Sequence, residues 1–148
     1  MRAILTSWGE ISVKDNDTTS RNNDGSECPA RARGKLAEDL AARFLEQQGL
    51  RLLTRNYRCR GGEIDLVCRS GKVLVFVEVR LRGNAAFGGA AASITPTKQR
   101  RLILAARHFL NVHSANDSDC RFDCILFDGP DSLSQKRIEW IRDAFSAD

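Results

Sequence analysis

Glu63 and Asp65 stand two apart in Gly62-Glu63-Ile64-Asp65-Leu66, and Glu78 and Arg80 stand two apart in Phe76-Val77-Glu78-Val79-Arg80. Residues two apart on a strand share a face. Both segments read as strands, over 62–69 and 73–80, with Ser70-Gly71 as a turn dipeptide between them. A two-residue turn there predicts Asp65 opposite Phe76 and Glu63 opposite Glu78. One face of the hairpin is then apolar: Ile64, Leu66, Cys68, Val73, Val75, Val77 and Val79. The other carries Val67, Leu74 and Phe76 near the turn and Glu63, Asp65, Glu78 and Arg80 at the open end.

Carboxylates are costly to desolvate unless a cation or hydrogen-bond donors compensate. Glu63 facing Glu78 would be repulsive, and Asp65 is diagonal to Glu78, ~7–8 Å away at Cα. Side chains reaching inward over that distance can share one cation. Magnesium suits such a place, because it takes oxygen ligands and is often held by one or two carboxylates, water and a substrate phosphate. The competing reading is a solvated sheet end, with Arg80 paired to Glu63 or Glu78.

The elements that must position these residues follow from periodicity. A helix is predicted from about Ala32 to Gln48, closed by Gly49 at C′. Its apolar arc is Ala37, Leu40, Ala41, Phe44 and Leu45, with Glu38 at the edge of that arc. Leu50 to Tyr57 reads as a first strand, leading through the basic Arg58-Cys59-Arg60-Gly61-Gly62 to the hairpin. Gly83 to Ser93 is a small-residue loop. Thr95 caps a second helix that has Pro96 at its first position, runs to about Val112 and turns Leu102, Ala105, Ala106, Phe109 and Leu110 inward. Lys98, Arg100 and Arg101 crowd its first turns, where cations oppose the helix dipole. They fit either an anionic partner or a solvated basic surface. Arg121 to Phe127 is a further strand, and Ile138 to Ile141 an edge strand. The order predicts an α/β fold, a mixed sheet flanked by helices.

A chain of 148 residues is expected to form one domain. Residues 1–31 are rich in Ser, Thr, Asn and Asp without a sustained period, and are expected to be a disordered extension; residues 32–148 form the domain. The net charge is +4, and arginine outnumbers lysine heavily among the 23 basic residues. Arginine suits bidentate phosphate contacts, so the bias is a weak pointer to nucleic acid. No apolar run approaches the ~18 residues of a membrane span, and no secretory signal is evident, so the cytoplasm is the expected compartment. The five cysteines have no metal-ligand spacing and are expected to be reduced thiols. His108 and His113 fit no zinc spacing and read as helix and helix-end residues.

Gly34 to Glu38, Asn56-Tyr57-Arg58, Gly62-Glu63-Ile64-Asp65-Leu66, Phe76-Val77-Glu78-Val79, Phe87-Gly88, Lys98 and Arg121-Phe122-Asp123 together resemble the YraN family of uncharacterised bacterial proteins. That family is regarded as endonuclease-like and similar to archaeal Holliday-junction resolvases. The resemblance covers roughly residues 32–146. It implies a restriction-endonuclease-like fold with a PD-(D/E)XK-type site: Glu38 from the first helix, Asp65 from the strand, and Glu78-Val79-Arg80 as the E-x-K step. It further implies Mg²⁺ or Mn²⁺ at Asp65, Glu78 and Glu38, with Arg82, Lys98 and Arg100 gripping a nucleic acid, expected to be DNA recognised by structure. Junction resolvases of related folds are dimers, which leaves room for a homodimer. One departure stands out. The family usually has lysine, thought to orient the attacking water, where this chain has Arg80, which keeps the charge but does not readily give up a proton. The alternatives are a nucleic-acid-binding module without turnover, and a partner-binding domain whose acids form surface ion pairs.

Overall fold

The computed structural model describes residues 29–82, 94–128 and 138–147. Residues 1–28 of the expected extension and the loop at 83–93 lie outside the described residues, whereas residues 29–31, expected to be disordered, open the first helix. The elements are α1 (Pro29–Gln47), β1 (Arg51–Cys59), β2 (Gly62–Ser70), β3 (Val73–Arg82), α2 (Pro96–Val112), β4 (Cys120–Asp128) and β5 (Ile138–Phe145). They form an α/β fold: a five-stranded mixed sheet in the order β1-β2-β3-β4-β5. Every pairing is antiparallel except β3 with β4, which is parallel. A parallel neighbour needs a crossover, and α2 supplies it.

Each face of the sheet is covered by one helix. Ala37, Ala41, Ala42 and Leu45 of α1 pack with Leu66, Cys68, Val75, Val77, Ile125 and Phe127. On the other face Leu102, Ala105, Ala106 and Phe109 of α2 pack with Val67, Leu74, Phe76, Phe122, Cys124 and Leu126. The apolar arcs of both helices are therefore the faces expected from their periodicity. Gly49, at φ 88, closes α1; its N–H donates to Glu46 O, and Leu50 N donates to Leu45 O. Thr95 caps α2, accepting from Lys98 N at 3.3 Å. β1 runs two residues beyond Tyr57, and β5 is longer than the Ile138–Ile141 segment expected.

The hairpin register differs from expectation. The turn is Gly71-Lys72, with Ser70 paired to Val73 and Val67 to Phe76. Gly71 has φ 58 and is the first turn residue, where one type of two-residue hairpin turn takes glycine. The slip relative to a Ser70-Gly71 turn is an even number of residues, so it leaves every side chain on its face. Ile64 is the exception: it was expected beside Leu66 but packs with Val67 against α2. Strand alternation breaks between Ile64 and Val67, at Asp65.

Asp123, only 1 % exposed, is structural. It accepts from Arg121 Nε at 3.0 Å, Trp140 Nε1 at 3.0 Å and Asp143 N at 3.0 Å, which ties β5 to β4 where their register shifts. Asp123→Ala strips these donors of their acceptor and should cost about 3 kcal/mol, read as a lower urea midpoint with an unchanged m-value.

Candidate functional site

Glu78 lies on the α2 face of β3 and is 5 % exposed. The β2–β3 register is paired as far as Leu66 with Val77, and Asp65 and Glu78 are the next residues on the two strands. Asp65 Oδ2 accepts from Val79 N at 2.8 Å, so its carboxylate is held against β3 beside Glu78. Lys98, one turn into α2, places Nζ 3.2 Å from Glu78 Oε1. Glu63 sits at the exposed rim, 3.6 Å from Arg58 Nε and 4.0 Å from Lys98 Nζ, instead of opposite Glu78.

One oxygen of this pair is left without a donor: among the described residues, Glu78 Oε2 is buried and no N–H or O–H reaches it. Leaving a buried polar atom unpaired costs on the order of 1–3 kcal/mol, more for a charged group. The site responds by keeping a proton. Burial, then the charge of Asp65, push the Glu78 carboxyl up to about 8, while Lys98 pulls it the other way. Burial also raises Asp65, opposed by the Val79 N–H, a hydrogen bond with Glu78 and Lys98. Two carboxyls that cannot both ionise freely will share a proton or bind a cation.

Glu38 approaches from the other helix. Burial and the negative charge of Asp65 raise its carboxyl, and a hydrogen bond from Asn56 lowers it. Asn56 has φ 50, a left-handed conformation that asparagine tolerates better than most residues. Because alternation breaks at Asp65, that carboxylate is felt by Glu38 from the α1 side and by Lys98 from the α2 side. Among the described residues, no three acid, histidine or cysteine side chains gather closely enough to hold an ion unaided. The tight pair is Asp65 and Glu78, with Glu38 set apart.

Arg80 is half-buried on the same face as Glu78; the two pair with Leu126 and Cys124 of β4. Arg100 is exposed on α2, and the Arg82 side chain lies outside the described residues. The histidines take no part: Tyr57 Oη lies 2.6 Å from His108 Nδ1, and His113 ends α2. Burial pushes the Cys68 thiol up to about 12, so it is no nucleophile at neutral pH. No disulfide joins the described residues. Among them, no helix is long and apolar enough to cross a membrane.

Two supporting residues stand in the sequence motifs, but local pattern assigned them no role. Asn56, in Asn56-Tyr57-Arg58, hydrogen-bonds to Glu38. Gly62 lets the β1–β2 turn lie against α2: a Cβ there would fall 2.5 Å from Arg101 O. Gly62→Ala should push the turn off the helix that carries Lys98, costing about 1–3 kcal/mol, read as a drop in thermal midpoint.

The model of the uncharacterised protein family UPF0102 matches residues 37–127, a span that holds Glu38, Asp65, Glu78 and Lys98. The chain belongs to this family. UPF0102 is the YraN family, so the resemblance read from the motifs is shown. A UPF0102 protein of Dechloromonas aromatica is 55% identical over 138 residues, 93% of this chain and 99% of that protein. That match reaches into the segment before residue 29. UPF0102 proteins of Methylobacillus flagellatus and Nitrosomonas europaea are each 56% identical, over 77% and 76% of this chain and 96% and 92% of their own lengths.

Proposed function

We propose that this UPF0102 protein is a cytoplasmic, metal-dependent nuclease that hydrolyses phosphodiester bonds in nucleic acid, with structure-specific DNA as its substrate. The observation that carries the reading is the buried Oε2 of Glu78, which no donor reaches among the described residues, beside Asp65. A hard divalent cation, Mg²⁺ or Mn²⁺, fits there: the donors are oxygens, two carboxylates suffice, and water and a substrate phosphate complete the shell. Asp65 and Glu78 would hold the ion, with Glu38 acting on it through water. When bound, such an ion lowers the pKa of a water and polarises a phosphoryl oxygen.

The remaining steps belong to the chain's own side chains. Lys98 neutralises the acid pair at rest and stands where a phosphate's non-bridging oxygens would arrive. Arg80, on the same face, carries a fixed charge suited to the phosphate and cannot serve as the base that accepts the water's proton. Arg82 and Arg100 flank this region in sequence and would meet the backbone. Contacts of that kind position a substrate without reading its sequence, which favours recognition by structure.

A second reading, a nucleic-acid-binding module without turnover, is favoured by Arg80 standing where the E-x-K step calls for lysine. Titrating Mg²⁺ and Mn²⁺ against branched and linear DNA, with an Asp65 variant as the blank, decides between them. Metal-dependent cleavage lost in the variant supports the nuclease. Salt-sensitive binding without cleavage at any metal concentration supports the module.

A further inference from the structure

Beside the acid pair, the β1–β2 turn and the first turns of α2 enclose a cleft of about 440 Å³ lined by Arg58, Cys59, Arg60, Glu63, Lys98 and Arg101, with Gly61 and Gly62. We propose that this cleft is a second phosphate seat, which holds the phosphodiester backbone one or more nucleotides from the phosphate at Asp65 and Glu78. The inference rests on the nucleic-acid reading above and adds a binding site to it.

Four cations face one acid in the cleft, and that acid is weakly committed. Glu63 lies 3.6 Å from Arg58 Nε, and the two side chains are 51% and 71% exposed. Exposed ion pairs of this kind contribute little, so Arg58 can exchange Glu63 for a phosphate at small cost. Among the described residues, neither Arg60 nor Arg101 has an ion-pair partner. The first turn of α2 has no acid to balance its dipole, and Lys98, Arg100 and Arg101 add positive charge where the helix already has it. An anion in the cleft relieves that excess.

The cleft is also preorganised. A Cβ on Gly61 would lie 3.0 Å from Leu104 Cβ, and one on Gly62 2.5 Å from Arg101 O. The turn backbone is thus fixed closely against α2, and ordering on binding is confined to the arginine side chains. Lys98 belongs to both places, touching Glu78 at 3.2 Å and Glu63 at 4.0 Å. A strand seated against Arg58, Arg60 and Arg101 therefore leads directly onto the acid pair. The volume lies in the ~300–1,000 Å³ range of small-ligand sites, matching a nucleotide or two of backbone.

The test is binding of the full chain to fluorescent single-stranded, duplex and branched DNA and single-stranded RNA in EDTA, followed by anisotropy across a salt series. Arg58→Ala, Arg60→Ala and Arg101→Ala should each weaken binding several-fold and lower the slope of log K against log salt by ~1. Arg51→Ala, at the far end of β1, should change neither. The ranking of the probes tells which backbone the cleft prefers. Alkylation of Cys59, read by mass spectrometry on the unaltered protein, should slow at least several-fold with oligonucleotide bound, while Cys120 reacts as before. Unchanged slopes, unprotected Cys59, or equal protection by polyglutamate would overturn the proposal. Hydrolysis is scored separately with Mn²⁺ present. Lost slopes without cleavage leave the cleft standing and sink the nuclease; cleavage with unchanged slopes does the reverse.

Discussion

Asp65→Asn should lower metal-dependent cleavage more than ~100-fold, since loss of a direct ligand should exceed the 10–100-fold typical of an outer-shell partner. Asparagine is the better probe than alanine. Its carbonyl can still accept from Val79 N, the hydrogen bond that Asp65 Oδ2 makes at 2.8 Å, so the strand junction survives while the charge is lost. Asp65→Ala would orphan that N–H and confound chemistry with stability. Glu78→Gln should match Asp65→Asn in effect. Arg80→Lys gives a separate answer. If restoring the lysine raises the rate, the arginine is what limits the site; an unchanged rate would mean that the cation supplied by Lys98 already suffices. Single-turnover cleavage with excess enzyme reads all of these. A rate in Asp65→Asn equal to that of the unaltered protein would sink the proposed chemistry.

The second large effect is on stability against pH, in the absence of metal. The Glu78 carboxyl has an ordinary value of 4.5 and is pushed up to about 8 in the folded protein, chiefly by burial and next by Asp65. Between these values the folded state holds a proton that the unfolded state has released. Stability therefore falls as pH rises from about 4.5 to about 8 and levels off above. Burial shifts Asp65 in the same direction. Glutamine resembles protonated glutamate in shape and cannot ionise, so Glu78→Gln should keep its low-pH stability and exceed the unaltered protein by a few kcal/mol near pH 8.5. Urea midpoints across the pH series measure this directly. Divalent ions must displace that same proton, so their affinity should rise by up to about tenfold per pH unit below pH 8. Titration calorimetry in buffers of different ionisation enthalpy should register the released proton. A flat stability profile for the unaltered protein would contradict the burial of a protonated Glu78.

Much of the fold could be read from local pattern. The arc of α1, the Thr95-Pro96 start of α2, the Gly49 stop and the two hairpin strands each rest on a short-range rule, and each is present. The hairpin register could not be read as safely, because Ser70-Gly71 and Gly71-Lys72 are both turn dipeptides. The pairing of Ser70 with Val73 identifies the second. The error was harmless to the faces, and it mattered for the site: the observed pairing ends at Leu66 with Val77, and Asp65 meets β3 through its carboxylate, which accepts from Val79 N. The role of Ile64 was missed for a different reason. Period-two reasoning assumes an unbroken strand, and Ile64 packs on the α2 face with Val67.

What the sequence determined by itself was the inventory: which acids and cations exist, that Glu78 and Arg80 share a face, that α2 begins with an excess of positive charge, and the family to which the motifs belong. These follow from residue type and from periods of two and 3.6, which operate within one element. Tertiary structure decided the rest. It put Lys98 on Glu78, left Oε2 of that carboxylate without a donor, moved Glu63 out to the rim, and closed the arginine cleft against α2 through Gly62. Burial, and the electrostatics that follow from it, is a property of what surrounds a side chain, and those surroundings here come from elements separated by tens of residues.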